Sequence, residues 1–280
     1  MNRFLVAVAV LAMFLPVAPS AAAPNVVASA MGNRTALPCD TQLVLRGDPE
    51  PVAPGTCPGV RPGAYVESED LSGERAGCSF NFVFNGFTRG VDPVALGRYI
   101  GTAGHCVLVT EGQHSWSAGK GPRVFDSTGR HINRYVFAVQ KGARDFALIK
   151  LLPGVRSNPR MCHWGGPTGI IAGPVEGTLE LKHFGQGTGL GDTIPARTAI
   201  GQDLADRDEA RAWGAVVFGD SGSGIIAADG RALGVIVSMG AGYTPGGSGT
   251  VGITRLSPQV DLAEQVLGLD FRLVTAPRLP

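Results

Sequence analysis

Residues 219–224 read Gly219-Asp220-Ser221-Gly222-Ser223-Gly224. A serine set among small residues can sit at the tip of a tight turn with its hydroxyl presented outward. The same turn can aim the backbone N–H groups of Gly219 and Ser221 at a single point, as an oxyanion hole requires. Taken alone, the run is no more than a turn. An alcohol is a weak nucleophile near neutral pH, so a reactive Ser221 needs a base within hydrogen-bond reach and a third group to orient that base. Two segments upstream carry those residue types: Gly101-Thr102-Ala103-Gly104-His105-Cys106 and Asp145-Phe146-Ala147-Leu148-Ile149. The His105 imidazole can take the serine proton and later return it to a leaving group. A buried Asp145 carboxylate can accept the other ring N–H, fix the tautomer and stabilise the imidazolium.

Around these segments the chain reads as β. Phe80, Phe82 and Phe84 alternate with polar or small residues, which predicts a period-2 strand. Further strands are expected at 98–102, 132–139, 146–151, 178–184, 212–218, 224–227, 232–239 and 250–254. Turn signals such as Ser127-Thr128-Gly129 and Ala228-Asp229-Gly230 separate them. A Pro/Gly-rich interval from 153 to 177 divides the strands into two groups. One helix is expected, with Ser257 as cap, Pro258 in the first turn, Val260, Ala263, Val266 and Leu267 as its apolar stripe, and Gly268 as its stop. Glycine and proline supply 41 and 20 of the 280 residues, which argues against a helical bundle. The charge balance, 24 Lys+Arg against 23 Asp+Glu, leaves no basic surplus for nucleic acid and no polybasic patch for anionic lipid.

The chain opens with Asn2-Arg3, an apolar run from Phe4 to Leu15, and the small residues Ser20-Ala21-Ala22-Ala23. That layout predicts a signal peptide over 1–22, removed on export, with no membrane span afterwards. Residues 23–75 are rich in Pro, Gly and Ala and are expected to form an arm or pro-segment, with 67–75 as solvated linker. Five cysteines (Cys39, Cys57, Cys78, Cys106 and Cys162) without a CxxC pair suit disulfides in an oxidising compartment, and leave one thiol over. No metal site or cofactor is expected. Gly185-Gln186-Gly187-Thr188-Gly189-Leu190-Gly191 misses the dinucleotide fingerprint, because Leu190 stands where the third glycine belongs.

The order His105, Asp145, Ser221, with the serine inside Gly-Asp-Ser-Gly, resembles the chymotrypsin-like serine proteases, and Thr-Ala-Gly-His-Cys is similar to the version found in secreted bacterial members. The likeness spans about 78–267. It implies an all-β fold of two six-stranded antiparallel β-barrels with a C-terminal helix: a domain over 76–272, first barrel about 76–152, crossover 153–177, second barrel about 178–256, helix 257–268 and tail 273–280. It implies a secreted, monomeric serine endopeptidase that acts on polypeptides and is a target for protein inhibitors. By the same likeness His105, Asp145 and Ser221 form the triad, Gly219 and Ser221 the oxyanion hole, and Asp220 an ion pair supporting the oxyanion loop, with Lys182 or Arg197 as its cation.

The resemblance also implies a Cys78–Cys106 disulfide, whose loop contributes about 3–4 kcal/mol in the chain-entropy model. Cys162 pairs with Cys39 or Cys57, or else Cys39 pairs with Cys57 and Cys162 stays free. The substrate pocket falls on Ala215, Val216, Ser238 and Gly240. Ala215 puts no charge at the pocket floor, which implies apolar P1 side chains. Two other readings remain open: a catalytically silent binding module on this fold, and a narrow esterase.

Overall fold

The computed structural model describes residues 57–186, 197–214, 216, 218–239 and 249–279. In chain order the first eight strands are β1 (Tyr65–Glu69), β2 (Arg75–Ser79), β3 (Val83–Thr88), β4 (Ala95–Thr102), β5 (Gly112–Ser115), β6 (Arg123–Asp126), β7 (His131–Lys141) and β8 (Arg144–Leu151). Then come β9 (Gly169–Ile170), β10 (Leu179–His183), β11 (Arg197–Asp203), β12 (Glu209–Gly214), β13 (Gly224–Ala227), β14 (Arg231–Met239) and β15 (Gly249–Arg255). A single helix, α1 (Leu256–Leu267), and a last strand, β16 (Leu269–Leu273), complete the described elements.

The strands sort into two sheets. The second runs β13-β10-β11-β12-β15-β14 and closes on itself through β13–β14, a six-stranded antiparallel barrel with β9 added in parallel outside β14. The first runs β16-β3-β4-β8-β7-β6-β1-β2, with β5 on β7, and its ladder does not close. Of the two closed barrels expected, one is therefore a curled, open sheet. Its ends approach through Asn81 and Phe82, which exchange backbone bonds with Gly101, and through the Cys78–Cys106 disulfide.

Differences from the sequence reading have physical causes. Residues 79–84 are covered on both faces: Ser79, Phe80, Asn81, Phe82, Val83 and Phe84 are all fully buried. The alternation predicts one polar face, but the stretch runs between the two sheets. A Cβ on Gly224 of the second sheet would stand 2.6 Å from the Phe82 ring. The polar stretch 67–75, expected as linker, folds as the β1–β2 hairpin, with Asp70 Oδ1 accepting from the Ser72 and Glu74 N–H groups in its turn. Strands β1 and β6 thus join two segments that the sequence places apart, and the first sheet begins ahead of residue 76.

The helix starts at Leu256 with Arg255 as its cap residue, so Ser257 does not cap it. Gly268 ends it in the left-handed conformation, at φ 66°, as expected. The chain then returns to the first sheet, where β16 pairs with β3. Arg255, fully buried, ties the helix start to the crossover and to the β11–β12 loop by donating to the carbonyls of Gly173, Leu204 and Asp206.

Candidate active site

His105 lies on a single 3-10 turn, Gly104–Cys106, directly after β4. The turn is pressed against β7 and β8: a Cβ on Gly104 would fall 1.9 Å from the Val139 carbonyl oxygen, so only glycine fits there. Asp145, at the start of β8, meets His105 twice. The His105 backbone N–H donates to Oδ1 at 2.9 Å, and ring Nδ1 lies 2.7 Å from Oδ2. A carboxylate accepts on both oxygens, so Nδ1 carries the proton and Nε2 keeps its lone pair. The Asp145 side chain is 12% exposed and that of His105 27%, leaving the ring edge open to solvent and the carboxylate sheltered.

Ser221 comes from the other sheet, on the turn leading into β13. Gly219 (φ 99°) and Gly222 (φ 88°) both hold positive φ, the conformation that makes the tight turn possible. A Cβ on Gly222 would fall 2.2 Å from Thr102 Oγ1 and 2.8 Å from Ala103 N, so the turn docks on the residues just ahead of His105. Its backbone is held on both sides. The Ser221 carbonyl accepts from Ser79 N–H at 2.8 Å, and Gly222 N–H donates to the Ile236 carbonyl at 2.8 Å. Among the described residues neither Gly219 N–H nor Ser221 N–H has a protein acceptor. Ser221 Oγ and His105 Nε2 make no hydrogen bond here, a contact that in resting sites often forms only with substrate bound.

The structure adds two residues that sequence reasoning missed. Ser79, fully buried, donates its hydroxyl to the Gly219 carbonyl at 2.8 Å and accepts from Gln186 N–H at 2.9 Å. It fixes the Gly219–Asp220 peptide, between the Gly219 and Ser221 N–H groups, and nothing but its place beside Cys78 distinguishes it in the sequence. Phe218, the residue before Gly219, is 78% exposed, and an aromatic ring in that position beside the serine turn was the available signal.

Other expected residues fare unevenly. Asp220 is fully buried against Gly185, where a Cβ would stand 2.4 Å from its Oδ1. Lys182 does not serve as the expected cation in any described contact, because its ammonium lies 4.8 Å over the Trp164 ring; the Arg197 side chain lies outside the described part. Of the pocket residues, Ala215 and Gly240 also lie outside the described residues. Val216 is buried in the core of the second barrel, and Ser238 is exposed on β14.

Cys78–Cys106 is formed, with Cα atoms 6.4 Å apart. Of the open alternatives for Cys162, the bond is to Cys57, with Cα atoms 5.9 Å apart, and Cys39 lies outside the described residues.

An open sheet carrying His105 and Asp145, a closed six-stranded barrel carrying Ser221, and a helix after the last barrel strand together decide the architecture. The fold is chymotrypsin-like. No family model matches the sequence, and no curated protein matches it. Solved structures with the chymotrypsin-like fold do. Cellulomonas bogoriensis chymotrypsin matches over 78% of this chain and 99% of its own, at 19% identity and a TM-score of 0.49. A glutamic-acid-specific serine protease that uses a histidine triad in substrate binding matches over 78% of this chain and 100% of its own, at 18% identity and a TM-score of 0.47. Nocardiopsis protease matches over 76% of this chain and 99% of its own, at 19% identity and a TM-score of 0.46. The likeness is one of fold.

Proposed function

We propose that this chain is an exported serine endopeptidase that cleaves polypeptides through an acyl-enzyme. The observation that carries the reading is the pair of hydrogen bonds from His105 to Asp145 beside the Ser221 turn. In this mechanism Ser221 Oγ attacks the peptide carbonyl carbon while its proton passes to His105 Nε2. Asp145 stabilises the imidazolium so formed. The Gly219 and Ser221 N–H groups receive the tetrahedral oxyanion, where losing one donor costs ~3–4 kcal/mol of transition-state stabilisation. His105 then gives the proton to the leaving amine, and water repeats the sequence on the Ser221 ester. Asp220 and Ser79 act as positioning residues for the loop.

Export through a signal peptide over 1–22 belongs to the same reading, and the two disulfides suit an oxidising compartment. Selectivity for apolar P1 side chains is supported by Ala215, which would leave a Lys or Arg head group desolvated without a counter-ion. The exposed Phe218 ring adds apolar surface next to the serine turn. Covalent labelling of Ser221 by a fluorophosphonate, abolished in Ser221→Ala, is the direct test; an unlabelled wild-type protein would leave a silent binding module instead. A P1-varied peptide library should favour Leu, Phe, Tyr or Met over Lys and Arg at least tenfold in kcat/KM, and cleavage chiefly after basic residues would overturn the selectivity.

A further inference from the structure

Net charge on the whole chain is only +1, and the sequence shows no basic run, yet the fold gathers arginines. Among the described residues a groove of about 1140 Å³ is lined by Arg61, Arg98, Arg130, Arg156 and Arg160, with Asp126 the one acidic residue among them. They come from separate segments: the stretch after Cys57, β4, the β6–β7 turn and the crossover. Asp126 is already engaged, with Oδ2 3.0 Å from Arg130 Nε and Oδ1 accepting from the Thr128 hydroxyl and N–H. Arg61 is held in place, 3% exposed, donating from Nε to the Arg160 carbonyl at 3.3 Å. The groove shares no lining residue with His105, Asp145 or Ser221, and at this volume it exceeds a typical small-molecule pocket. It suits a stretch of acidic chain.

Such a stretch precedes the groove wall in the sequence. Pro58 and Gly59 form part of its wall, and Cys57 just before them is anchored to Cys162. The residues leading into that anchor read Gly47-Asp48-Pro49-Glu50-Pro51-Val52-Ala53-Pro54-Gly55-Thr56, with two carboxylates and no cation. Three prolines favour an extended segment, which at ~3.1 Å per residue reaches about 30 Å from the anchor. We propose that residues 47–56 dock in the arginine groove, Asp48 and Glu50 meeting its guanidinium groups, so that the arm is retained as a strap on the folded body. Burial of a carboxylate beside arginine forks is the pairing in which such contacts are strongest. The proposal is independent of the protease reading.

The test uses the full secreted chain carrying Arg156→Lys or Arg160→Lys. Treatment with a zero-length carbodiimide should couple the introduced lysine to Asp48 or Glu50 within one chain, as read by peptide mass spectrometry. The coupling should fall at least tenfold in 1 M NaCl. Coupling only to other carboxylates, or a secreted chain that begins after residue 56, would overturn the proposal. Titration with linear inorganic polyphosphate gives a second readout. The Asp48→Asn/Glu50→Gln protein should bind it at least tenfold more tightly than wild type, because the competing strap is gone. Equal affinities would overturn the strap and leave a soluble polyanion as the occupant.

Discussion

The two sheets solve the same problem of curvature by different means. The second closes through strand pairing alone, and its core is built from small and aliphatic side chains such as Ala199, Ala210, Ala212, Leu181, Leu233 and Ile253. The first stays open, and its core holds Phe80, Phe82, Phe84, Phe137 and Phe146. Small side chains let a six-stranded ring contract until its last strand meets its first. Aromatic rings hold a curled sheet further apart, and there cross-links take over: Cys78–Cys106 lies at the gap, and Cys57 and Cys162 are buried in the same core. The difference puts the two halves of the candidate site on supports of unlike character. The proposed base and its carboxylate ride on a covalently braced sheet, and the proposed nucleophile rides on a hydrogen-bonded ring.

The largest effect should come from breaking the site on either support. Ser221→Ala on the ring, and His105→Ala or Asp145→Ala on the open sheet, should each lower kcat by roughly 10^4 or more with the fold intact. Double variants spanning both sheets should lose little further, since the three groups act as a unit. Additive losses in steady-state kinetics would mean that the halves work separately. Removing the brace by Cys78→Ala with Cys106→Ala should cost about 3–4 kcal/mol in urea unfolding, for a loop of 28 residues. Hydrogen exchange should then speed up in β2–β4 and not in β10–β13; equal acceleration in both sheets would defeat the contrast.

How far this contrast was legible in the sequence depended on burial. His105, Asp145 and Ser221 were readable because a turn forced to be glycine-rich leaves its mark in the residue types around it, as the clashes at Gly104 and Gly222 show. Strand β8, buried along 145–149, was equally plain. Strands β1 and β16 were not, because each sits toward the margin of the open sheet with few buried residues, Val66 and Ser68 in one and Phe271 in the other. A strand that buries so little apolar surface has almost no period to read. Nor can local sequence show that residues 79–84 have sheets on both sides, because that second face is supplied by residues near 224.

Two smaller effects sharpen the comparison. His163 stands beside Cys162 at the joint between the regions, packed on Phe184 at 4.7 Å. Burial, and then the charge of Arg61, push its pKa down to about 4 from 6.5. The unfolded chain binds this proton between those values and the folded chain does not. Stability should therefore fall as pH drops from about 6.5 to 4, by about 3 kcal/mol, and level off below. His163→Asn, which tolerates the positive φ of 64° there, should flatten that slope in denaturant midpoints measured across the window. An unchanged slope would assign it to other groups. The smallest effect belongs to the core of the open sheet, where Tyr135 and Ser68 share a hydrogen bond at 2.5 Å and burial pushes the phenol pKa upward. Tyr135→Phe strands the Ser68 hydroxyl and should cost about 1–2 kcal/mol in thermal or urea unfolding. A neutral result would mean that the aromatic packing alone sets this core.

The return of the chain to β16 bears on how the molecule is made. Strand β3, near the start of the body, takes as its outer neighbour a segment that follows every strand of the second barrel and the helix. During synthesis the first sheet must wait with that edge uncovered until the second barrel and the helix have been made. Contacts between such distant segments form slowly, because the loop entropy is spent before any pairing is gained. For a chain proposed to cut other chains, the delay has a use: the sheet carrying His105 is completed only once the ring carrying Ser221 is already behind it, so a partly made protein carries the motifs without the finished blade.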